Sequence, residues 1–246
     1  PVLLIHGFSQ SCLSWARQTA GPLVRTHRLV ANDIRGHGAS DKPLDRARYR
    51  DPAAWAGEVG AVIAALGLVR PVLVGWSYGG RIIADYLIRH GAGAIGGVVF
   101  AAGAVSNEPA MFGPKRALIA GTGSDDLATS ISASRAFLRA CFAVQPDQDD
   151  FETMLAFNAM VPPAVRAAMG GRTTEYDAVL RALRVPVLAI HGDADAIILP
   201  AMSRHIAAIV PGARAVFYEG VGHSPFWEAH ERFDADLAAF LKTTGR

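Results

Sequence analysis

The sequence predicts an α/β protein with a mostly parallel, doubly wound sheet, and three observations support this prediction. Short apolar runs rich in Val, Ile and Leu recur along the chain. Continuous rather than alternating apolar runs are typical of strands covered on both faces, as in parallel sheets. Most of these runs are followed by a helical pattern, which indicates strand–helix–strand units. The chain has 246 residues, enough for one large domain that buries most of its apolar surface.

The composition excludes several classes of function. Hydrophobic residues make up 51% and charged residues 19% of the chain, which is typical of a globular protein. The net charge is +2, and no basic stripe is present, so we expect no nucleic-acid partner and no membrane partner. Cys12 and Cys141 lack metal or redox spacing, which favours a reducing, cytoplasmic compartment.

The predicted elements follow the apolar runs and the helix signals in chain order. The predicted strands are 2–5, 29–34, 72–75, 97–102, 187–190 and 215–218. The predicted helices are 52–66, 78–90, 201–210 and 225–243. Asp51 and Pro52 suit the start of the first helix, and Gly245 is the stop signal of the last one.

One interval, residues 104–184, breaks this alternation. It contains the helical patterns SRAFLRACFAV, DFETMLAFNAM and YDAVLRALR, and no convincing strand. An interval of this length is typical of a small subdomain rather than a loop. We therefore predict an α/β core over residues 1–103 and 185–246, and an inserted helical cap over residues 104–184.

Ser77 stands in the pattern Gly-x-Ser-x-Gly within VLVGWSYGGRIIADYL, residues 72–87. A buried strand precedes it and an amphipathic segment follows, the context in which a serine occupies a strained elbow above the sheet. Side chains at Gly75 and Gly79 would collide as the helix returns over the strand. The helix N-terminus also stabilises negative charge nearby. We predict that Ser77 is a nucleophile.

A serine nucleophile needs a base and an orienting acid, and two later strands supply them. VPVLAIHGDADAIILP leads into an acidic loop, and ARAVFYEGVGHSPFWE carries His223 in a turn after a strand. Open α/β sheets place their chemistry at such strand ends. Asp195 lies farther out in the loop and is the favoured acid, whereas Asp193 suits capping of the turn. His6 and His191 precede glycines and are interpreted as turn-forming residues.

Besides a base and an acid, a serine nucleophile needs an oxyanion hole, which is a set of hydrogen-bond donors that stabilise the developing negative oxygen. IHGF, residues 5–8, ends the first strand with a glycine, so backbone amides can face the site. The backbone N–H groups of Phe8 and Tyr78 are the predicted donors; the alternative is that Gly7 only permits a tight turn. Aromatic residues of the helical interval fill its own core or form the roof of an apolar pocket. The pocket candidates are His6, Trp76, Phe112, Phe137, Phe142 and Phe157.

No cofactor and no metal is predicted. RGHGASD contains the first two glycines of a dinucleotide fingerprint, but Asp41 occupies the sixth position and no helix start follows directly. The Asp193 and Asp195 pair has no third carboxylate at a spacing suited to a hard cation.

Together these motifs resemble the α/β-hydrolase superfamily over essentially the whole chain. LLIHGF, NDIRGHGASDKP, VGWSYGG, VPVLAIHGDAD and GVGHSPFWE stand in the family's order and spacing. The resemblance implies a mostly parallel sheet of eight strands, a helical cap after the sixth strand and a Ser77–Asp195–His223 triad. It also implies that the family's first two strands, about 20 to 30 residues, are missing before Pro1. Their absence would leave the strand at 29–34 as an exposed edge.

The resemblance also implies a reaction class. Dehalogenases and epoxide hydrolases of this family carry aspartate at the elbow, so Ser77 favours ester hydrolysis through an acyl-enzyme. The expected substrate is a small to medium, uncharged, moderately hydrophobic ester or lactone, and the expected assembly is a monomer or homodimer. The alternatives are a cofactor-free perhydrolase of the haloperoxidase type, a carbon–carbon bond hydrolase and a binding protein without turnover.

Overall fold

The computed structural model describes residues 1–244 of the chain. Six strands form one fully parallel sheet in the order β2-β1-β3-β4-β5-β6. The strands are β1 (Val2–Ile5), β2 (Leu29–Asn32), β3 (Val72–Trp76), β4 (Gly97–Ala101), β5 (Val187–Gly192) and β6 (Arg214–Tyr218). The four central strands are buried along their whole length, as their continuous apolar runs predict. The predicted parallel α/β fold is confirmed.

Helices flank this sheet and fill the long interval between β4 and β5. The α-helices are α1 (Ala16–Thr19), α2 (Ala47–Arg50), α3 (Pro52–Ala65), α4 (Tyr78–His90), α5 (Leu118–Thr122), α6 (Leu127–Ala140), α7 (Gln148–Ala159), α8 (Pro163–Met169), α9 (Asp177–Arg181), α10 (Ala201–Ile209), α11 (Pro225–Glu228) and α12 (His230–Thr244). Short 3₁₀ helices lie at Cys12–Trp15, Pro22–Arg25, Pro109–Met111 and Pro114–Ala117.

Most predicted elements differ from the observed ones by no more than two residues at an end. One predicted helix, 225–243, is wrong as a single element, because the chain breaks at Ala229 between α11 and α12. Its predicted stop signal, Gly245, lies outside the described residues. Strand β2 lies at one edge of this six-stranded sheet, and its residues are half-buried.

The interval between β4 and β5 contains five α-helices, α5 to α9. Its residue Phe112 forms an isolated antiparallel bridge with Ile198 in the loop after β5. Asp126 and Asp147 cap α6 and α7 by accepting backbone N–H bonds from the third residue of each helix. Within residues 1–244, no helix has the length and apolar character needed to cross a membrane. Cys12 and Cys141 carry free thiols.

Candidate active site

Ser77 occupies the turn between β3 and α4 in a strained backbone conformation, with φ 54° and ψ −115°. Non-glycine residues rarely adopt a positive φ, and such strain is concentrated at functional sites. The turn also requires its glycines: a Cβ on Gly75 would lie 2.7 Å from the backbone of Gly79, and a Cβ on Gly79 would collide with the carbonyl oxygen of Ile5. These contacts hold the start of α4 directly against the ends of β1 and β3.

His223 follows β6, and its imidazole contacts the loop that follows β5. Its Nδ1 lies 2.7 Å from Oδ2 of Asp195, and both side chains are fully buried. Asp193 is instead exposed, and its Oδ1 accepts the N–H of Gly220 at 2.8 Å. The structure therefore brings His223 together with Asp195, while Asp193 caps a turn.

The Asp195 carboxylate accepts four hydrogen bonds. Its Oδ1 accepts the N–H groups of Ile197 at 2.8 Å and Ile198 at 3.0 Å, and its Oδ2 faces His223 and Nε2 of His191 at 3.0 Å. Burial by itself would raise the pKa of Asp195, but the charge of His223 and the histidine hydrogen bonds hold that pKa well below its usual value. Asp195 is therefore an ionised carboxylate that fixes the orientation of the His223 ring.

His191 was interpreted as a turn-forming residue, and the structure corrects this interpretation. It lies within β5 and is completely buried. Its Nε2 donates to both Asp195 and the carbonyl oxygen of Ile198, while its Nδ1 lies 2.7 Å from the hydroxyl of Ser203 on α10. His191 thus holds the far side of the carboxylate that contacts His223.

Two further side chains hold the backbone around His223. The indole Nε1 of Trp76 donates to the carbonyl oxygen of His223 at 2.8 Å. The carboxylate of Glu228 accepts N–H groups from Gly222 and Ser224 on one side, and from the 143–144 segment on the other, at 2.8 to 3.3 Å. Glu228 therefore joins the His223 loop to the helical interval.

The other ring nitrogen of His223, Nε2, is the atom that would accept the proton of Ser77. His223 Nε2 is buried and has no hydrogen-bond partner among residues 1–244. Within residues 1–244, no hydrogen bond joins His223 Nε2 to the Ser77 hydroxyl. Hydrogen bonds of this kind are often long in unliganded enzymes and tighten when substrate binds.

The end of β1 lies against Ser77. A Cβ on Gly7 would lie 3.0 Å from the Ser77 Cβ and 3.5 Å from its hydroxyl oxygen, a tight contact that a larger residue could make only if the serine turn shifted slightly. The backbone N–H groups of Phe8 and Tyr78 donate to no acceptor within the described residues. The next residue, Ser9, has φ 63°, and its N–H donates to Nε2 of buried His37 at 3.0 Å. Phe8 is thus followed by a tightly held, strained residue.

A cavity of about 620 Å³ opens beside Ser77, Phe8 and Tyr78. Of the predicted pocket residues, Phe112 lines it. Trp76, Phe142 and Phe157 surround a separate interior void of about 10 Å³. Phe137 packs edge-on against Phe8 at 5.9 Å, and the Nε2 of His6 accepts the N–H of Ile34 at 3.1 Å.

Sequence reasoning missed several residues of this site. Three arginines, Arg81, Arg116 and Arg172, line the cavity, and His191 and Glu228 hold the acid and base loops. Arg81 carried a usable signal, since it lies four residues after Ser77 and therefore on nearly the same side of α4. The others gave no such signal, because their positions depend on segments far apart in the chain.

Known proteins similar to this chain were found by sequence and by structure. The model of the α/β-hydrolase fold family matches residues 1–230. A Burkholderia cenocepacia structure assigned as an aryl esterase is 35% identical with a TM-score of 0.94, over 99% of this chain and 90% of that one. The esterase RhEst1 from Rhodococcus sp. ECU1013 is 35% identical with a TM-score of 0.93, over 100% and 91%.

A Rhodococcus erythropolis non-heme haloperoxidase is 28% identical, over 99% of this chain and 92% of the relative. The esterase relatives support hydrolysis of ester bonds, and the haloperoxidase keeps perhydrolysis as the alternative. The match over most of the sequence, together with the parallel sheet and the strained serine turn, shows that the chain belongs to the α/β-hydrolase fold family.

Proposed function

We propose that the chain is a serine esterase in which Ser77 is the nucleophile, His223 the general base and Asp195 the acid that orients it. The observation that carries the proposal is the 2.7 Å hydrogen bond between His223 and Asp195, on the sheet edge where Ser77 occupies its strained turn. An imidazole fixed through Nδ1 presents its Nε2 as a proton acceptor, and this Nε2 has no other partner within residues 1–244.

In the first half of the reaction, the Ser77 oxygen forms a bond to the ester carbonyl carbon and its proton passes to Nε2 of His223. The carbonyl π electrons move onto the oxygen, which the N–H groups of Phe8 and Tyr78 stabilise. When the carbonyl re-forms, the bond to the alcohol oxygen breaks. The alcohol leaves with the proton from His223, and the acyl group stays on Ser77.

In the second half, water replaces the alcohol. His223 takes one proton from water as the water oxygen attacks the acyl carbon, and the same two N–H groups stabilise the oxyanion. The bond to Ser77 then breaks, Ser77 regains a proton from His223, and the acid is released. Asp195 stays ionised throughout and stabilises the imidazolium.

We propose that the helical interval 104–184 acts as a cap over this site. Its residues supply much of the cavity wall, including Phe112, Ile119 and Met169. The volume of about 620 Å³ lies in the range of small-molecule sites. The apolar wall supports a small or medium ester or lactone as substrate.

A fluorophosphonate probe tests the proposal directly, because it reacts only with an activated serine. We expect labelling of the native protein at Ser77, no labelling of Ser77→Ala, and normal labelling of Ser132→Ala, an exposed serine on α6. Turnover of 4-nitrophenyl acetate should fall about 10⁴-fold or more in Ser77→Ala. A folded protein that stays unlabelled would favour the binding-protein alternative.

Perhydrolysis is the second candidate, supported by the similarity to a non-heme haloperoxidase. In that reaction hydrogen peroxide replaces water at the acyl-enzyme and leaves as a peracid. Bromination of monochlorodimedone in acetate, bromide and hydrogen peroxide measures it, because the peracid oxidises bromide to the brominating species. A bromination rate that disappears in Ser77→Ala would assign perhydrolysis to the same site. If the wild-type protein brominates no faster than the reaction without enzyme, ester hydrolysis is its only activity of the two.

We also propose a cytoplasmic protein that works as a monomer or homodimer. The two free thiols, Cys12 and Cys141, support a reducing compartment. Light scattering coupled to size-exclusion chromatography measures the assembly, and a mass above that of a dimer would contradict it.

A further inference from the structure

The cavity beside Ser77 has an unusual charge balance. Arg81, Arg116 and Arg172 all line it, and none of the described residues in its wall is acidic. Arg81 lies on α4, Arg116 lies in the 3₁₀ helix Pro114–Ala117, and Arg172 follows α8. Three separate segments therefore bring positive charge to one space. Of these three arginines, Arg172 alone forms a salt bridge among the described residues.

Arg172 is neutralised by the protein. Its Nη2 lies 2.7 and 2.6 Å from the two carboxylate oxygens of Asp85, and both side chains are buried. The hydroxyl of Tyr176 donates to the same carboxylate at 3.0 Å. The Asp85 carboxylate therefore balances the charge of Arg172 at the cavity wall, although the Arg172 Nε is buried without a hydrogen-bond partner within residues 1–244.

Arg81 forms no salt bridge among the described residues. The Asp85 carboxylate, four residues further along α4, is close enough for the charge of Arg81 to lower its pKa, but that carboxylate is bonded to Arg172. Arg81 is 6% exposed, and its Nη2 donates to the carbonyl oxygen of Ser106 at 2.9 Å. Its Nη1 is buried and has no hydrogen-bond partner within residues 1–244. Leaving a buried charged donor unsatisfied is costly, and a bound water, ion or ligand is one way in which proteins complete the bonding of such a group.

Arg116 adds a second positive charge at the same place. Its guanidinium lies 3.8 Å above the ring of Phe112, which itself lines the cavity. Arg116 is exposed as a residue, but partial desolvation beside the cavity lowers its pKa, and the positive charge of Arg81 lowers it further, so the two guanidinium groups repel each other. No salt bridge to either residue occurs among the described residues. A bound anion would relieve this repulsion.

We propose that the substrate of this enzyme carries a carboxylate, which binds between Arg81 and Arg116 while the ester carbonyl meets Ser77. The planar guanidinium fork matches a carboxylate. Arg81 is four residues after Ser77, about 6 Å along the helix axis. This separation fits a short spacer, as in a monoester of a small dicarboxylic acid or an ester of a small carboxyl-bearing alcohol.

This inference rests on the proposed esterase function and departs from the uncharged substrate that the sequence predicted. That prediction assumed a pocket wall of apolar and aromatic side chains. The cavity wall contains both apolar side chains, such as those of Ile119, Met169 and Ile198, and the three arginines. An amphiphilic substrate, with an apolar part and one negative charge, fits both.

Matched substrate pairs test the charge preference. Mono-4-nitrophenyl succinate and 4-nitrophenyl butyrate differ only by carboxylate and methyl at the end of the acyl group. The pair 4-acetoxybenzoate and 4-methylphenyl acetate makes the same comparison on the alcohol side. After subtraction of spontaneous hydrolysis, we expect kcat/KM for the charged ester to exceed that of the neutral one by about 10-fold in at least one pair. Preference for the neutral ester in both pairs would overturn the proposal.

Variants connect the preference to these residues. The ratio of charged to neutral kcat/KM should fall about 10-fold in Arg81→Met and in Arg116→Met. The control is Arg139→Met, which removes an exposed arginine stacked 4.2 Å above Phe151, outside the cavity wall, and should keep the wild-type ratio. An unchanged ratio in the folded variants would contradict the proposal. Arg116 is exposed, so its variant remains informative if Arg81→Met fails to fold.

A binding measurement separates this inference from the proposed chemistry. Titration calorimetry of Ser77→Ala with monomethyl succinate and with methyl butyrate requires no turnover. Tighter binding of monomethyl succinate, lost in the double variant Ser77→Ala/Arg116→Met, would support the anion site even if no ester were hydrolysed. Equal or weaker binding of the charged ester would overturn it even if fluorophosphonate labelling showed that Ser77 is reactive.

Discussion

The Asp195 carboxylate has all of its bonding capacity directed by the protein. Two backbone N–H groups and two histidine rings meet its oxygens at 2.7 to 3.0 Å. An amide at this position would present an N–H group to at least one of these donors and would no longer hold the His223 tautomer. We expect Asp195→Asn to lower kcat for 4-nitrophenyl acetate by about 10⁴-fold with little change in the fold.

Asp193→Asn is the matched control, two residues away in the same loop. The Asp193 side chain is exposed, and an asparagine oxygen can still accept the N–H of Gly220. We expect its kcat to stay within a few-fold of wild type, and circular dichroism to show both variants folded. The opposite ranking, with Asp193→Asn inactive and Asp195→Asn active, would mean that the acid is misassigned.

Some of the residue-level geometry follows from local sequence, and some does not. Gly-x-Ser-x-Gly between a buried strand and an amphipathic helix predicts a strained turn, and Ser77 has that conformation. Of the two histidines that contact Asp195, only one was predictable from the sequence. His223 comes from a strand-end motif, but the contact with His191 depends on how the loop after β5 folds back over its own strand.

At the level of elements, the accuracy of prediction depends on the strength of the end signals. Helix α4, Tyr78–His90, was predicted with both ends correct, because the strained turn starts it and Gly91 ends it with φ 67°. The break between α11 and α12 was not predictable, because Ala229 is a good helix former. Directly before the break, the Glu228 carboxylate accepts the N–H groups of Gly222 and Ser224 in the His223 loop.

The Glu228 carboxylate connects two segments, the His223 loop and residues 143–144, and a variant of Glu228 tests this connection. Replacing it with Ala would leave four backbone N–H groups without their acceptor, those of Gly222, Ser224, Ala143 and Val144. We expect Glu228→Ala to lower the free energy of unfolding by about 4 kcal/mol, at roughly 1 kcal/mol for each N–H group that loses its bond. We also expect kcat to fall about 10-fold, because His223 lies in the released loop. Urea denaturation and ester kinetics measure the two effects.

Two further variants distinguish the positioning of His223 by Glu228 from a general effect of removing a negative charge. Glu231→Gln removes a carboxylate from an exposed position on α12 and should change neither quantity. Glu228→Asp keeps an acceptor and should recover part of kcat. If Glu228→Ala lost stability while kcat stayed at the wild-type value, the role of Glu228 in holding His223 would be wrong.

At the scale of the whole molecule, the parallel sheet explains why distant residues meet. Ser77, Asp195 and His223 follow β3, β5 and β6, whose carboxyl ends share one edge because every strand pair is parallel. A parallel sheet, which the sequence predicted, was therefore enough to predict that the loops after these strands lie at one edge. The cavity was less predictable, since Arg116 and Arg172 reach it from the helical interval, whose packing no strand register determines.

A second consequence of the whole fold is a pair of buried histidines behind the site. His6 and His37 are fully buried with ring centroids 5.1 Å apart. Each uses Nε2 as a hydrogen-bond acceptor, His6 for the N–H of Ile34 and His37 for that of Ser9. Burial, the main cause, lowers the pKa of His6 to about 4, and burial together with the charge of His6 lowers the pKa of His37 to about 3.

These lowered pKa values predict how stability depends on pH. In the unfolded chain both histidines bind protons near their ordinary pKa of 6.5, whereas the folded protein keeps them neutral until about pH 4. The unfolded state therefore binds more protons between these values. The free energy of unfolding should be unaffected by these groups above about pH 7.5 and should fall below pH 6.5 by about 1.4 kcal/mol per pH unit for each histidine.

Urea denaturation in steps between about pH 7.5 and pH 4.5 measures this slope. Asparagine can accept the Ser9 N–H but cannot bind a proton, so His37→Asn should reduce the slope by about 1.4 kcal/mol per pH unit. His90→Asn replaces an exposed histidine and should keep the wild-type slope. Because the Ser9 N–H bond holds the chain directly after Phe8, ester hydrolysis should be lost over the same acid range as the fold. A wild-type slope in His37→Asn would mean that other groups cause the acid sensitivity.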